Sequence, residues 1–269
     1  MHSLLTRRSA KLAGLVSVAA ATALGLVGVA GASSTHAPAA VPQATHAPVS
    51  DRQIPNLTTV ENSIEAYYGD TLVGTEHYAS PTSNYAHQVG GIEREIKGYL
   101  GTRQHGHSHK KQAIVLDVDD TTLLTYNYEL EHTFAYDPAS NAAYVEAEKM
   151  TEVFGMPKLV SWAQAHGYAV FYVTGRPEAQ RDATAGNLAK VGYDKPAADH
   201  LFLKNAASPP SYLSCGSTCT TIQYKSGTRA HIESLGYDIT ADIGDQYSDL
   251  KGGSTDRTFK LPNPMYYLP

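Results

Sequence analysis

Apolar and polar positions along residues 113–260 fall into two recurring patterns. Short β-branched runs bounded by polar residues predict buried strands, and apolar residues three or four positions apart predict helices that bury one face. Strands that alternate with helices favour a parallel sheet covered on both faces, so we predict an α/β fold. The predicted strands are Ala113–Asp117, Ala169–Thr174, His200–Leu203, Ile239–Ile243 and Arg257–Lys260, and the predicted helices span residues 142–166, 178–191 and 225–236.

Two segments extend this pattern. Helical spacing between Leu57 and about Thr102 predicts N-terminal helices that pack on the sheet. Residues 123–141 are aromatic and acidic, and we interpret them as a small cap insertion that arches over the strand ends; the alternative is a packed crossover. This insertion contains four aromatic residues: Tyr126, Tyr128, Phe134 and Tyr136. Their side chains either stack on a nucleobase or aryl group of a substrate, or they form the core of the cap itself.

The amino terminus has the layout of a secretory signal peptide. Arg7, Arg8 and Lys11 precede an apolar stretch over residues 12–29, and small residues follow over 30–32. This order predicts export with cleavage after the small residues, and therefore a secreted protein. An uncleaved membrane anchor is the alternative, although a stretch so rich in Ala and Gly is weakly hydrophobic. The arginine pair leaves open whether the general secretory or the twin-arginine route is used.

The remaining chain divides into a tether and one domain. Residues 33–55 are rich in Pro, Ala, Ser and Thr, which predicts a disordered tether, and residues 56–269 then form the folded domain. Removing the signal peptide, residues 1–32, takes away three basic and no acidic residues and changes the formal charge from −5 to −8. We therefore expect neither nucleic-acid binding nor stable membrane association of the mature protein. The oligomeric state is left open.

Two short motifs carry possible cross-links or metal ligands. Cys215 and Cys219 are the chain's two cysteines, and a close, even pair in an exported protein predicts a short-loop disulfide. Free thiols or half of a metal site are the alternatives. Residues 105–109 contain alternating histidines, for which we favour a solvated loop over a metal-binding tract.

Three carboxylates lie at and just beyond the end of the first predicted strand: Asp117, Asp119 and Asp120. A strand buried on both faces tolerates charges only where the backbone leaves the sheet. In open α/β sheets this carboxyl edge is where ligands bind. Because carboxylates held close together repel one another, they need a cation or a shared proton. The spacing therefore predicts a cation site at the end of the first strand.

Three further polar motifs follow in order along the chain: Thr174-Gly175-Arg176 at the end of a strand, Lys225 at the start of a helix, and Asp245 with Asp249 after another strand. Together with the carboxylates of residues 117–120, these make four motifs. In this order they resemble the motifs of the haloacid dehalogenase (HAD) superfamily of phosphohydrolases. Their details resemble its secreted acid phosphatase branch, which contains class B-like and class C-like bacterial acid phosphatases and plant vegetative storage proteins. The resemblance covers about residues 57–269 and implies a Rossmann-like parallel sheet flanked by helices.

The resemblance implies a division of labour among the acidic residues. Asp117 is implied as the nucleophile that forms an aspartyl-phosphate, and Asp119 as the acid and base that serves the leaving group and the attacking water. Asp117, Asp245 and the backbone carbonyl of Asp119 are the implied ligands of Mg²⁺. Asp120 departs from the Glu usual in this branch, which keeps the charge but shortens the side chain.

The basic and hydroxyl-bearing residues are implied to hold phosphate. Lys225 has a competitor in Lys204, just after the third predicted strand, and we prefer Lys225 because its helix leads into the strand that ends at Asp245. Asp249 is expected to orient Lys225 or a metal-bound water. Arg176 either contacts phosphate or substrate or forms a salt bridge at the start of the 178–191 helix. The residues implied in phosphate binding are Thr174, Gly175, Arg176 and Lys225.

These features predict an exported, Mg²⁺-dependent phosphomonoesterase of the acid phosphatase kind, acting on a small-molecule phosphomonoester. A non-catalytic storage or binding protein of the same fold is one alternative, disfavoured because Asp117 and Asp119 are both present. The other is a phosphotransferase that passes the phosphoryl group to an alcohol, which depends on how well the cap excludes water.

Overall fold

The computed structural model describes residues 47–103 and 110–268. The predicted signal peptide, most of the predicted tether and the histidine-rich segment 105–109 lie outside the described residues. In chain order the described elements are α1 (Leu57–Tyr68), β1 (Thr71–Val73), β2 (Glu76–Tyr78), α2 (Asn84–Arg103), β3 (Lys111–Leu116), β4 (Leu123–Leu124), α3 (Tyr126–Glu131), α4 (Pro138–Glu146), β5 (Thr151–Glu152), α5 (Met156–Ala165), β6 (Ala169–Pro177), α6 (Arg181–Lys190), β7 (Leu201–Lys204), α7 (Thr221–Ser234), β8 (Tyr237–Gly244), α8 (Tyr247–Leu250) and β9 (Arg257–Lys260).

Within the described residues, the central sheet has five strands in the order β7-β6-β3-β8-β9, and every neighbouring pair is parallel. This arrangement confirms the predicted α/β fold. Strand β3 lies in the middle of the sheet, between β6 and β8, so the motifs that follow these three strands emerge side by side at one edge.

Helices cover both faces of the sheet. Alternate residues of β3 point to opposite sides, with Ile114 and Leu116 on the face covered by α2 and α5. Ala113 and Val115 lie on the other face, in the cluster that contains Tyr224 and Ile232 of α7. Burial of both faces explains why the strand reads as a continuous apolar run.

One predicted helix is wrong. Instead of a single helix over residues 142–166, the chain forms α4, the short strand β5 and then α5. Strand β5 pairs antiparallel with β4, and this pairing interrupts the helical pattern. Gly155, with a φ of +79°, caps the start of α5 in a conformation that glycine adopts at little cost.

Helix α7 begins earlier than predicted, at Thr221 instead of residue 225. The side chain of Thr220 accepts a hydrogen bond from the backbone of Gln223, and the Gln223 side chain returns one to the backbone of Thr220. This capping box fixes the start of the helix. Lys225 therefore lies in the second turn of α7 and not at its first residue.

The segment 123–141 contributes β4 and α3 and packs most of its aromatic rings. Tyr126 stacks on Tyr68 of α1 with ring centroids 4.6 Å apart, and Tyr128 is fully buried. Phe134 is half-buried, whereas Tyr136 is exposed. Among the four aromatic residues, the ring of Tyr136 is thus the most accessible to a ligand.

Two further features bear on the sequence expectations. The sulfur atoms of Cys215 and Cys219 are bonded, and no cysteine in the described part of the chain is free. None of the helices between residues 47 and 103 or between 110 and 268 combines the length and apolarity needed to cross a bilayer.

Candidate active site

The end of β3 presents Asp117 at the carboxyl edge of the sheet. Its backbone N–H still donates to the carbonyl of Ile243 in β8 at 3.0 Å, so the residue is held by the sheet. The chain then turns through Asp120, whose φ of +54° is unusual for a residue other than glycine but is tolerated by Asp. The Asp117 side chain lies at this edge of the sheet and is nearly buried.

Three carboxylates meet beside Asp117. One carboxylate oxygen from each of Asp117, Asp245 and Asp249 lies within 4.8 Å of the other two. Lys225 donates to Oδ1 of Asp117 and, at 2.7 Å, to Oδ1 of Asp249. No ion pair joins Asp245 to a basic side chain in the described residues. Lys225 thus pairs with two of the three buried acids, and an oxygen-rich, negatively charged cluster of this kind fits a hard divalent cation such as Mg²⁺.

The same crowding perturbs the acids. Burial raises the pKa of Asp117 well above its usual range, against the effect of Lys225 and with reinforcement from Asp249 and Asp245. Burial also raises the pKa of Asp245 to about 7, with Asp249 and Asp120 adding to the effect. Burial lowers the pKa of Lys225, but Asp117 and Asp249 outweigh it, so the net shift is upward and the lysine stays protonated. A bound cation would relieve this repulsion.

Gly244, at the end of β8, allows Asp249 to reach the cluster. A Cβ atom at Gly244 would lie 2.5 Å from the Cβ of Asp249, which no side chain accommodates. The other Asp249 oxygen, Oδ2, accepts a hydrogen bond from the backbone N–H of Gln246 at 2.8 Å. Close packing and this bond together aim Oδ1 of Asp249 at Lys225.

Thr174 and Arg176 lie near the end of the neighbouring strand β6. Thr174 is fully buried, and its hydroxyl accepts a hydrogen bond from the backbone N–H of Arg176 at 3.2 Å, while Gly175 between them is exposed. The Arg176 side chain forms no salt bridge at the start of the following helix. It grips both oxygens of Asp119 instead, with Nη2 donating to Oδ1 at 2.7 Å and Nε to Oδ2 at 3.1 Å.

Two further side chains, those of Thr184 and Met150, contact the guanidinium of Arg176 and fix its position. Its Nη1 donates to the hydroxyl of Thr184 at 3.0 Å, its Nη2 lies 2.8 Å from the sulfur of Met150, and its side chain is nearly buried. The Asp119 side chain remains 30% exposed. A buried, anchored guanidinium therefore fixes a partly accessible carboxylate, with the planar two-point geometry that arginine favours.

The two candidate lysines differ in their contacts. Lys225 is buried against Asp117 and Asp249, whereas Lys204 lies over the ring of Tyr224 at 5.6 Å. Lys204 forms no ion pair with a carboxylate within the described residues. Burial and the nearby Lys225 lower the pKa of Lys204.

Sequence reasoning missed a set of contacts from the carboxyl terminus. Oδ2 of Asp120 accepts a hydrogen bond from the hydroxyl of Tyr266 at 2.6 Å, and Oδ2 of Asp245 accepts one from Nδ2 of Asn263 at 2.7 Å. The Asp120 carboxylate also takes the backbone N–H of Thr125 at 2.9 Å and its hydroxyl at 2.6 Å. The tail sequence carried no chemical signal that could have located these contacts.

Glu129 is a second missed residue. It lies on α3 and is largely buried, and its carboxylate has no hydrogen-bond partner among the described residues. Burial raises its pKa to about 7, and the negative charge of Asp119 adds to the effect. Glu129 on α3 thus adds a further acidic group close enough to interact with the charge of Asp119.

Comparison with known proteins assigns the chain to a family. A sequence model of the HAD superfamily, subfamily IIIB (Acid phosphatase), matches residues 30–269. The chain belongs to this family. It is 35% identical to "Acid phosphatase 1" of Solanum lycopersicum over 161 residues, which are 57% of this chain and 58% of that protein. It is 28% identical to "Vegetative storage protein 1" of Arabidopsis thaliana over 233 residues, 83% of this chain and 77% of that protein.

The chain spans only 52% to 61% of the length of several other relatives. Among solved structures, the class C acid phosphatase of Bacillus anthracis with tungstate bound has a TM-score of 0.61 with this chain at 18% identity, covering 79% of this chain and 87% of that one. At this identity the likeness establishes the fold. The family and the fold confirm the resemblance that the four motifs indicated.

Proposed function

We propose that this subfamily IIIB chain is an exported, magnesium-dependent phosphomonoesterase that works through an aspartyl-phosphate on Asp117. The observation that carries the proposal is the environment of that side chain. Lys225 engages Oδ1, whereas Oδ2 accepts no hydrogen bond from the described residues. A carboxylate fixed at one oxygen and free at the other, at the ligand-binding edge of the sheet, is suited to attack phosphorus.

The proposed reaction has two steps. In the first, an Asp117 oxygen forms a bond to phosphorus while the bond from phosphorus to the leaving oxygen breaks, and Asp119 gives that oxygen a proton. In the second, Asp119 takes a proton from water as the water oxygen attacks phosphorus, and the bond to Asp117 breaks to release phosphate. Arg176 keeps the Asp119 carboxylate in place between the two proton transfers.

Charge on the phosphoryl oxygens is offset by groups that are already in position. Lys225 supplies a buried ammonium and Thr174 a hydroxyl, and fixed groups of this kind need no rearrangement during the reaction. Asp117, Asp245 and the backbone carbonyl of Asp119 would hold Mg²⁺, with Asp249 engaged by Lys225. When bound, Mg²⁺ would neutralise the charge between the attacking carboxylate and the phosphate.

The test is phosphate release by the purified protein from a panel of nucleotides, sugar phosphates and aryl phosphates, with Mg²⁺ and with EDTA. We expect turnover that requires Mg²⁺ and is lost in EDTA. Absence of turnover on every phosphoester would favour a storage or binding role, as the name of the Arabidopsis relative suggests for that protein. Phosphorylation of glycerol added to the assay would instead show transfer to alcohols.

Export is tested separately. If residues 1–32 are a cleaved signal, protein recovered from the culture medium begins after this segment. Recovery of the uncleaved chain in the membrane fraction would overturn the proposed secretion.

A further inference from the structure

The carboxyl-terminal segment, residues 261–268, runs across the site edge of the sheet. The backbone N–H of Leu261 donates to the carbonyl of Gly244 at 2.9 Å, which continues the pairing of β9 with β8. The far end is held by Gln246, whose side-chain oxygen accepts the backbone N–H of Leu268 at 3.1 Å. A segment fixed at both ends carries the residues between them past the acidic cluster.

Asn263 lies between these two anchors and contacts two acids of the site. Its Nδ2 donates to Oδ2 of Asp245 at 2.7 Å and lies 3.4 Å from Oδ2 of Asp120. Its own side-chain oxygen accepts the backbone N–H of Met265 at 2.9 Å. Because that bond takes the acceptor end of the amide, the donor end must face the carboxylates.

We propose that Asn263 is a positioning residue that orients Asp245 toward a bound divalent cation. Gln246 donates from Nε2 to the same Oδ2 atom at 2.7 Å, so both amides occupy one oxygen of Asp245. The other oxygen, Oδ1, is approached by the hydroxyl of Thr121 at 3.3 Å and retains free lone pairs. Holding Oδ2 in this way leaves Oδ1 as the metal-binding oxygen.

This inference rests on the proposed function, because it assumes that Asp245 binds a metal. Groups that hydrogen-bond to a metal ligand typically change metal affinity by about 10- to 100-fold when they are removed. Since Gln246 keeps one donor on Oδ2, we expect the loss of Asn263 to fall near the lower end of this range.

Tyr266 provides a matched control in the same segment. Its hydroxyl donates to Oδ2 of Asp120, and it forms no hydrogen bond with Asp245 among the described residues. If residues 261–268 served only to stabilise the fold, removing the contact of Asn263 or that of Tyr266 would lower the free energy of unfolding and leave the metal affinity unchanged. If Asn263 positions Asp245, only its removal weakens metal binding.

The experiment measures Mn²⁺ binding to the full protein by electron paramagnetic resonance, without substrate, for wild type, Asn263→Leu and Tyr266→Phe. Leucine keeps the branched shape of asparagine, with two methyl groups in place of the amide oxygen and nitrogen, and so removes the donor to Asp245 together with the acceptor of the Met265 N–H. We expect the Kd for Mn²⁺ to rise about 10-fold in Asn263→Leu and to change less than about 2-fold in Tyr266→Phe. Thermal unfolding of the metal-free proteins records the structural effect of each change.

The outcomes separate the two proposals. An unchanged Kd in a folded Asn263→Leu protein, with wild type binding Mn²⁺, would overturn the positioning role alone. An equal weakening in both variants would also overturn it, because a general effect of the tail would then suffice. If wild-type protein bound no Mn²⁺ at all, the proposed metal site would fail and this inference with it.

Discussion

Replacing Lys225 with methionine should separate the charge of this residue from its volume. The ammonium is buried and serves both Asp117 and Asp249, so Lys225→Met leaves two buried carboxylates without their cation. Charge-assisted hydrogen bonds contribute about 1.5–3 kcal/mol each, and breaking a buried pair from one side costs about 3–5 kcal/mol. We expect the free energy of unfolding of the metal-free protein to fall by about 3 kcal/mol.

The same substitution should affect catalysis and metal binding in opposite directions. Loss of a fixed positive charge next to the phosphoryl group should lower kcat for an aryl phosphate by about 10²- to 10³-fold. Divalent cations should stabilise the variant more than they stabilise wild type, because the cation then neutralises carboxylates that Lys225 no longer serves. Urea unfolding with and without Mg²⁺, together with steady-state kinetics, measures both effects.

Lys204→Met is the matched control, since Lys204 lies over Tyr224 and forms no hydrogen bond with the carboxylates of the cluster. We expect this variant to keep kcat within about 3-fold of wild type. A Lys225→Met protein that keeps its activity, or a Lys204→Met protein that loses as much, would refute the assignment of the site cation.

Three other substitutions test separate parts of the structure. Arg176→Lys should lower kcat by about 10-fold with little change in KM, because lysine cannot reproduce the two-point grip on Asp119; a large rise in KM alone would instead indicate direct phosphate binding. Asp120→Ala should lower the free energy of unfolding by about 3 kcal/mol, since buried donors lose their acceptor, and a loss below about 1 kcal/mol in urea would contradict this. Burial raises the pKa of Glu93 to about 7 in the folded protein. Its ionisation therefore destabilises the fold increasingly as pH rises from about 4.5 to 7, and Glu93→Gln should stabilise by about 1 kcal/mol at pH 8 but not at pH 4; equal effects at both pH values would contradict this.

The sequence predicted those parts of the fold that depend on local pattern. Strands β3, β6 and β8 are apolar runs that end in polar motifs, so both their existence and their common edge followed from the pattern. Helix α7 begins at Thr221, four residues before its predicted start, because the capping box of Thr220 and Gln223 sets the first turn and helical spacing alone does not reveal it. The break between α4 and α5 depends on the pairing of β5 with β4, which is a tertiary contact that helical spacing does not encode.

In the candidate site, motif position identified the residues but not their partners. Lys225 contacts both Asp117 and Asp249, and the expected role of Asp249 in orienting this lysine stays a prediction. The grip of Arg176 on Asp119 joins residues 57 positions apart, and the hydrogen bond from Tyr266 to Asp120 joins residues 146 positions apart. Such contacts are set by how the strand ends and the tail converge in space, so no local pattern reveals them.

The role of Asp117 as nucleophile is tested most directly by the kcat of Asp117→Asn for an aryl phosphate in saturating Mg²⁺. Asparagine keeps the shape of the side chain but removes the attacking carboxylate. We expect kcat to fall by about 10³-fold or more, as it does when a nucleophile is removed from an enzyme that works through a covalent intermediate. Mg²⁺-dependent hydrolysis at a rate close to that of wild type would contradict the aspartyl-phosphate mechanism.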